Sequence, residues 1–182
     1  MNRLALLLAL LVPVGIARAQ APLLPVPPGI TVSAAEVRAS LPVAASLPDF
    51  ALPTLSGGTF RLSEQRGRVV VLNMWATWCG PCRAEMPELD SLARAYGPSG
   101  LSVVGISIDE DEQTVRSFSE RIRVSYPLAM DDGKMVERLG ASGVMPITYV
   151  LDRAGRLRLI AEGRVTAADL YPTLWALLDE AP

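Results

Sequence analysis

The stretch Val69-Val70-Val71-Leu72-Asn73-Met74-Trp75-Ala76-Thr77-Trp78-Cys79-Gly80-Pro81-Cys82-Arg83-Ala84-Glu85-Met86-Pro87 carries the decisive pattern of this chain. Val69–Trp75 is an apolar run of strand length, interrupted only by Asn73. Such a run suits a central strand buried on both faces. From Cys82 onward Ala84, Leu89, Leu92, Ala93 and Tyr96 recur at helical spacing, and Gly97-Pro98 closes the run. Pro87 falls inside it and is expected to kink the helix. A buried strand, a short connection and a helix therefore frame two cysteines, Cys79 and Cys82.

A cysteine at a helix N-terminus feels the positive end of the helix dipole and free backbone N–H groups. Both stabilise a thiolate, so the Cys79 pKa is expected below about 8.5. Cys79 is read as the attacking thiol. Cys82, one turn further in, is read as the less exposed resolving thiol that releases a mixed disulfide. Pro81 suits the first helical turn, where a missing N–H costs little. Three other readings compete. Zinc needs four ligands, and this chain offers two thiols and no histidine. A purely structural disulfide gains little from so short a loop. Cu(I) favours soft sulfur, and Met74, Met86 and Met145 are possible neighbours, although methionines more often serve as plain core.

Upstream, Asp49–Leu52 and Gly58–Leu62 read as two short strands around the turn Leu55–Gly58. Ser63–Gly67 reads as a cap-like turn. Downstream, Leu101–Ile108 is a second buried strand run. Asp109–Glu112 reads as a solvated acidic helix start, a favourable place for negative charge, and its spacing supports no calcium site. Val115, Phe118 and Ile122 continue that helix. Tyr126–Met130 reads as a short strand and Gly133–Leu139 as a short helix stopped by Gly140. Ile147–Leu151 and Leu157–Ala161 form strands joined by the hairpin-type turn Asp152–Gly155. Thr166 caps a last helix carrying Leu170, Leu174, Leu177 and Leu178. Strands alternating with helices, then a hairpin and a helix, make an α/β sandwich with a mixed sheet.

The 182 residues suffice for one domain of ordinary size, and 50% apolar composition excludes wholesale disorder. A net charge of −2 offers no basic excess for nucleic acid. The absence of histidine removes imidazole bases and the Ser-His-Asp triad. Met1-Asn2-Arg3, an apolar run over Leu4–Ala17 and the small-residue site Ala17-Arg18-Ala19 predict a secretory signal peptide over residues 1–19. The run is shorter than the roughly 20 residues of a membrane-spanning helix, and an uncleaved anchor is the alternative. The expected location is periplasmic or secreted, or held at the inner membrane if the segment stays uncleaved. Such compartments permit disulfides. Residues 20–47, with Pro22, Pro25, Pro27, Pro28 and Pro42, read as a semi-extended tether without core contacts; Ser33–Ala39 could add a helical turn. The domain is expected over residues 48–182.

Residues 48–182 resemble thioredoxin-fold proteins, specifically the exported TlpA/ResA-like thiol-disulfide oxidoreductases. The resemblance rests on Leu47-Pro48-Asp49-Phe50, on Asn73 to Pro87, and on Gly143-Val144-Met145-Pro146-Ile147-Thr148-Tyr149. It implies a thioredoxin-like fold, a central mixed sheet flanked by helices with an N-terminal β-hairpin extension. It implies that Pro146 is cis and lies beside the cysteine pair, leaving the Met145 backbone to meet an extended substrate. Cytoplasmic thioredoxins hold a buried aspartate where this chain has Asn73, which cannot move a proton. Glu85 lies three residues after Cys82 and can share its helix face. The ResA-like group has a glutamate there, linked to the active site, and partial burial would raise its pKa. The competing reading is a solvated glutamate paired with Arg83 or a neighbour. Trp78 is read as a flanking, substrate-shaping residue and Trp75 as core. Gly80 and Pro81 set the geometry between the cysteines.

The Gly80-Pro81 dipeptide resembles that of the reducing thioredoxins, whose potential is near about −270 mV. The leading expectation is a protein-disulfide reductase acting on exported proteins, with apocytochrome c or copper-site proteins as substrates the resemblance implies. No cofactor beyond the redox-active Cys79–Cys82 disulfide is expected, and a membrane thiol carrier is the expected electron donor, because no flavin or nicotinamide fingerprint is present. The rivals are a thiol oxidase or isomerase, and a copper carrier or assembly protein that binds with the same thiols. A thiol peroxidase is disfavoured, because Leu72 and Ala76 stand where its Pro-x-x-x-Thr-x-x-Cys pattern needs proline and threonine. Substrate recognition is expected around Trp78, Met145 and the Asp109–Pro127 segment.

Overall fold

The computed structural model describes residues 46–141 and 143–180. The expected leader, the tether as far as residue 45 and the turn expected at Ser33–Ala39 lie outside the described residues. Among the described residues no helix is long and apolar enough to cross a membrane.

In chain order the elements are β1 (Ala51–Pro53), β2 (Thr59–Arg61), β3 (Val69–Trp75), α1 (Gly80–Tyr96), β4 (Leu101–Ser107), α2 (Glu112–Ile122), β5 (Leu128–Met130), α3 (Met135–Arg138), β6 (Ile147–Leu151), β7 (Leu157–Glu162) and α4 (Ala167–Asp179). The main sheet has the order β5-β4-β3-β6-β7. β3 pairs in parallel with β4 and antiparallel with β6, so the sheet is mixed. Every residue of β3 is buried. Its odd positions Val69, Val71 and Trp75 join a core formed with α1, α2 and α4. Its even positions Val70, Leu72 and Met74 join a second core under the β1–β2 hairpin and α3. This is the alternation a pleated strand imposes.

The β1–β2 hairpin forms as the sequence implies, with Leu52 opposite Phe60. It is tied to the sheet edge by the amide of Leu55, which donates to the Leu128 carbonyl at 2.8 Å. α1 buries Cys82, Glu85, Met86, Leu89, Leu92 and Tyr96, one stripe at helical spacing, and runs from Gly80 to Tyr96 as one helix through Pro87. β5 and α3 are shorter than the sequence reading, and two other details depart from it. α2 begins at Glu112 with Asp111 as its cap, so Asp109 stands outside the helix. The end of the tether does touch the domain. Ser46 bridges Arg156, and Leu47, an apolar side chain with a core surface within reach, packs on the second cluster.

The β6–β7 turn is held by Asp152, a carboxylate only 2% exposed. It accepts hydrogen bonds from the Ala154 and Arg156 amides at 3.0 and 2.9 Å, and from the Arg156 guanidinium at 2.7 Å. Burial alone raises its pKa, but the hydrogen bonds from Arg156 and Arg158 outweigh burial and hold the carboxyl below the ordinary carboxylate value. A depressed carboxylate stabilises the fold above its unfolded-state pKa, and that stability is lost as the pH falls through the folded-state value. Asp152→Asn is expected to cost about 1–3 kcal/mol at pH 7. The difference from the parent is expected to shrink as the pH falls below about 4, the unfolded-state value, read from urea midpoints at each pH.

Candidate active site

β3 ends at Trp75, and the next four residues turn the chain into α1. The Cys79 amide donates to the Ala76 carbonyl at 3.2 Å, closing that turn. Cys79 is the N-cap of α1, with extended backbone, and its sulfur accepts from the Cys82 amide at 3.2 Å. Cys79 and Cys82 are joined as a disulfide, with Cα atoms 5.3 Å apart. Cys79 is 6% exposed and Cys82 fully buried, the asymmetry the helix position implies. A thiolate formed at Cys79 would sit where the N–H and the helix dipole favour negative charge. Pro81 occupies the first helical turn. Among the described residues, no heavy atom outside its chain neighbours and its own helix backbone lies within 4 Å of where a Cβ on Gly80 would sit, so packing does not demand glycine there.

The Met145–Pro146 peptide is cis. Ile147 pairs with Met74, which brings Pro146 to the same sheet end as the cysteine turn. Met145 is half-buried against the core cluster that contains both cysteines. Trp78 is 68% exposed and Val144 52%, so large apolar side chains face solvent at this end. Trp75 is fully buried, as core.

Behind the pair lies a buried polar cluster. Glu85 is fully buried, not solvated. Its Oε1 accepts from the Asn73 amide nitrogen at 2.6 Å and its Oε2 from the Val165 amide at 3.0 Å. The same Asn73 nitrogen donates to Thr148 Oγ1 at 3.1 Å. Asn73 Oδ1 is buried without a hydrogen-bond partner among the described residues. Burial pushes the Glu85 pKa up, and the hydrogen bonds from Val165 and Asn73 and the charge of Arg164 only partly oppose it. Asn73 is therefore the partner of Glu85. The 12-residue separation between them hides this until β3 and α1 pack.

Tyr126, also buried, has a phenol without a partner among the described residues, and burial together with the charges of Glu85 and Asp90 holds its pKa above the ordinary value. Sequence reasoning missed Asp109. Its carboxylate accepts from the Thr77 amide at 2.8 Å, the Thr77 hydroxyl at 2.7 Å and the Ser107 hydroxyl at 2.7 Å. The signal the sequence offers is its place directly after the apolar run Leu101–Ile108. Met86 packs with the cysteines while Met74 packs in the other core, on the opposite face of the sheet, so the three methionines do not converge on the pair. Among the described residues no group of three or more His, Cys, Asp or Glu is placed to hold a metal ion.

The AhpC/TSA family model matches residues 43–160. The thiol-disulfide oxidoreductase ResA of Geobacillus thermodenitrificans is 32% identical over 133 residues, 73% of this chain and 76% of that protein. The thioredoxin-like protein YneN of Bacillus subtilis is 36% identical over 130 residues, 70% of this chain and 75% of that protein. The crystal structure of a secreted thiol-disulfide isomerase from Corynebacterium glutamicum superposes with a TM-score of 0.68 at 32% identity, covering 74% of this chain and 86% of that one. A thioredoxin-like sheet with a Cys-Gly-Pro-Cys helix start, and relatives sharing a third of their residues across most of their length, lead to one conclusion: the chain belongs to the AhpC/TSA thioredoxin-like family and is a thiol-disulfide oxidoreductase of the ResA-like group.

Proposed function

We propose that the protein is exported and reduces disulfide bonds in other exported proteins, with Cys79 attacking and Cys82 resolving. The observation that carries this reading is the asymmetry of the pair. Cys79 caps α1 beside the exposed Trp78, whereas Cys82 is buried one turn from the buried Glu85. In the dithiol state the Cys79 thiolate attacks one sulfur of a substrate disulfide. A Cys79–substrate bond forms, the substrate S–S bond breaks, and the departing thiolate takes a proton from solvent. Cys82 then gives its proton to Glu85 and attacks Cys79 Sγ. The Cys79–Cys82 bond forms and the second substrate thiolate leaves, so two electrons pass to the substrate. Trp78, Met145 and Pro146 form the surface that meets the substrate.

Gly80-Pro81, with no histidine in the chain, supports the reducing direction. The charged start Met1-Asn2-Arg3 and the apolar run after it support export, and the Corynebacterium glutamicum relative is named as secreted. A reductase outside the cytoplasm must be re-reduced as a dithiol, and a membrane thiol carrier is the donor we propose. Apocytochrome c is the kind of substrate this scheme suits. That same relative is named an isomerase, which is the observation behind a second, more oxidising reading.

Equilibration with thiol–disulfide buffers separates the two. A reductase is expected at or below about −250 mV, and a value of about −120 to −180 mV would overturn the reducing direction. Glu85→Gln is expected to slow release of the mixed disulfide about 10²-fold or more while leaving initial attack by Cys79 nearly unaltered, followed by rapid-quench trapping. Because burial raises the Glu85 pKa, the release rate of the parent is expected to climb as the pH rises through a value above the ordinary carboxylate range. The glutamine variant is expected to lack that limb, and an identical profile in the two proteins would remove Glu85 from the proton path.

A further inference from the structure

We infer that Asp109 is a positioning residue for thiol-disulfide exchange: it grips Thr77 so that Trp78 and Cys79 are presented to an extended protein substrate in one fixed geometry. Both oxygens of the Asp109 carboxylate are committed to this grip. Oδ2 takes the Thr77 amide and the Ser107 hydroxyl, and Oδ1 takes the Thr77 hydroxyl. Ser107, which anchors the carboxylate, is fully buried.

The grip is not needed to hold the sheet together at this end. β3 and β4 are already in register over seven residue pairs, and the Ile108 amide donates to the Trp75 carbonyl beyond them. Asp109 reaches past that ladder to the turn. The turn runs from the Ala76 carbonyl to the Cys79 amide, with Thr77 and Trp78 at its centre. Trp78 is 68% exposed, so side-chain packing does little to fix it; the backbone of the turn fixes it instead. Cys79, the next residue, is only 6% exposed, so a substrate sulfur has a narrow approach to it. A small disulfide needs only the thiolate, whereas a protein segment that also rests on Trp78 needs both groups placed together. Misplacement by about 1 Å can cost about 10²-fold in rate.

The inference rests on Cys79 being the attacking thiol and is independent of the net redox direction. The test uses reduced full-length protein carrying Cys82→Ser, in which Cys79 is the one remaining thiol. Two probes are compared: the small aromatic disulfide dithiobis(nitrobenzoate), and an extended peptide whose single cysteine is joined by a disulfide to thionitrobenzoate. In both the Cys79 thiolate attacks a disulfide sulfur, a Cys79–S bond forms as the probe S–S bond breaks, and thionitrobenzoate departs with the electron pair as a coloured thiolate. Adding Asp109→Asn is expected to lower the ratio of peptide to small-disulfide rate constants about tenfold, as is adding Thr77→Val. The two together are expected to lower it no further, because they break one grip. Thr77→Ser, which keeps both donors, is expected to restore the ratio. If Asp109→Asn does not fold, Thr77→Val against Thr77→Ser decides. An unchanged ratio, with both rate constants falling by one factor or neither falling, would overturn the inference. Failure of the Cys82→Ser parent to capture either probe would overturn the assignment of Cys79 and this inference with it.

Discussion

Burial of β3 on both faces is the constraint on which the rest of this molecule depends. A strand with seven buried residues must be covered twice and paired twice. The parallel partner β4 and the antiparallel partner β6 supply the pairing, and the two core clusters supply the cover. The consequences meet at its C-terminal end. The chain leaves the sheet there into α1, the end of β4 brings Asp109, and the start of β6 brings Pro146. Three separate stretches of sequence converge on the cysteines because each is fixed to the same strand.

That arrangement also places polarity inside the core. Asn73 sits on the α1 face of β3 and meets Glu85 and Thr148 there. A buried carboxylate is unfavourable when ionised, and two N–H donors offset only part of that cost, so its pKa rises. A raised carboxylate stabilises the fold fully below its unfolded-state pKa, and this contribution is lost as the pH rises through the folded-state value. Near neutrality Glu85 therefore works against stability, the opposite of Asp152 at the far turn. A buried carboxylate departs from the usual fold rules, and Cys82 lies one turn away on the same helix.

The sequence shows some of this and hides the rest for definite reasons. β3 and β6 are legible to the residue because a strand covered on both faces is a continuous apolar run with sharp ends. α1 is legible in its body, but it begins two residues earlier than its apolar stripe, since Gly80 and Pro81 are held by the Cys79 cap and not by packing. Spacing puts Glu85 on the face of Cys82. It does not reveal burial, because the Val165 amide that closes over it comes from 80 residues further on. Asp109 escapes notice because a carboxylate three places before a helix reads as a capping group. Its true partner Thr77 lies 32 residues upstream and is met only once β3 and β4 are parallel. Leu47 looks like tether because prolines precede it, yet an apolar side chain beside an open core surface packs on it.

Two carboxylates thus flank one pair of thiols, and their surroundings divide the work. Glu85 has two donors in a buried setting, and burial outweighs them, so its proton affinity is raised. Asp109 is partly exposed and accepts from three donors, two of them on Thr77. In the exchange we propose, the first governs when Cys82 attacks and the second how Cys79 is offered. Thiol–disulfide exchange needs both, because it requires a deprotonated sulfur and three sulfurs in line. With no histidine in the chain, no imidazole can combine these duties, and the proposed scheme divides them between side chains on separate elements.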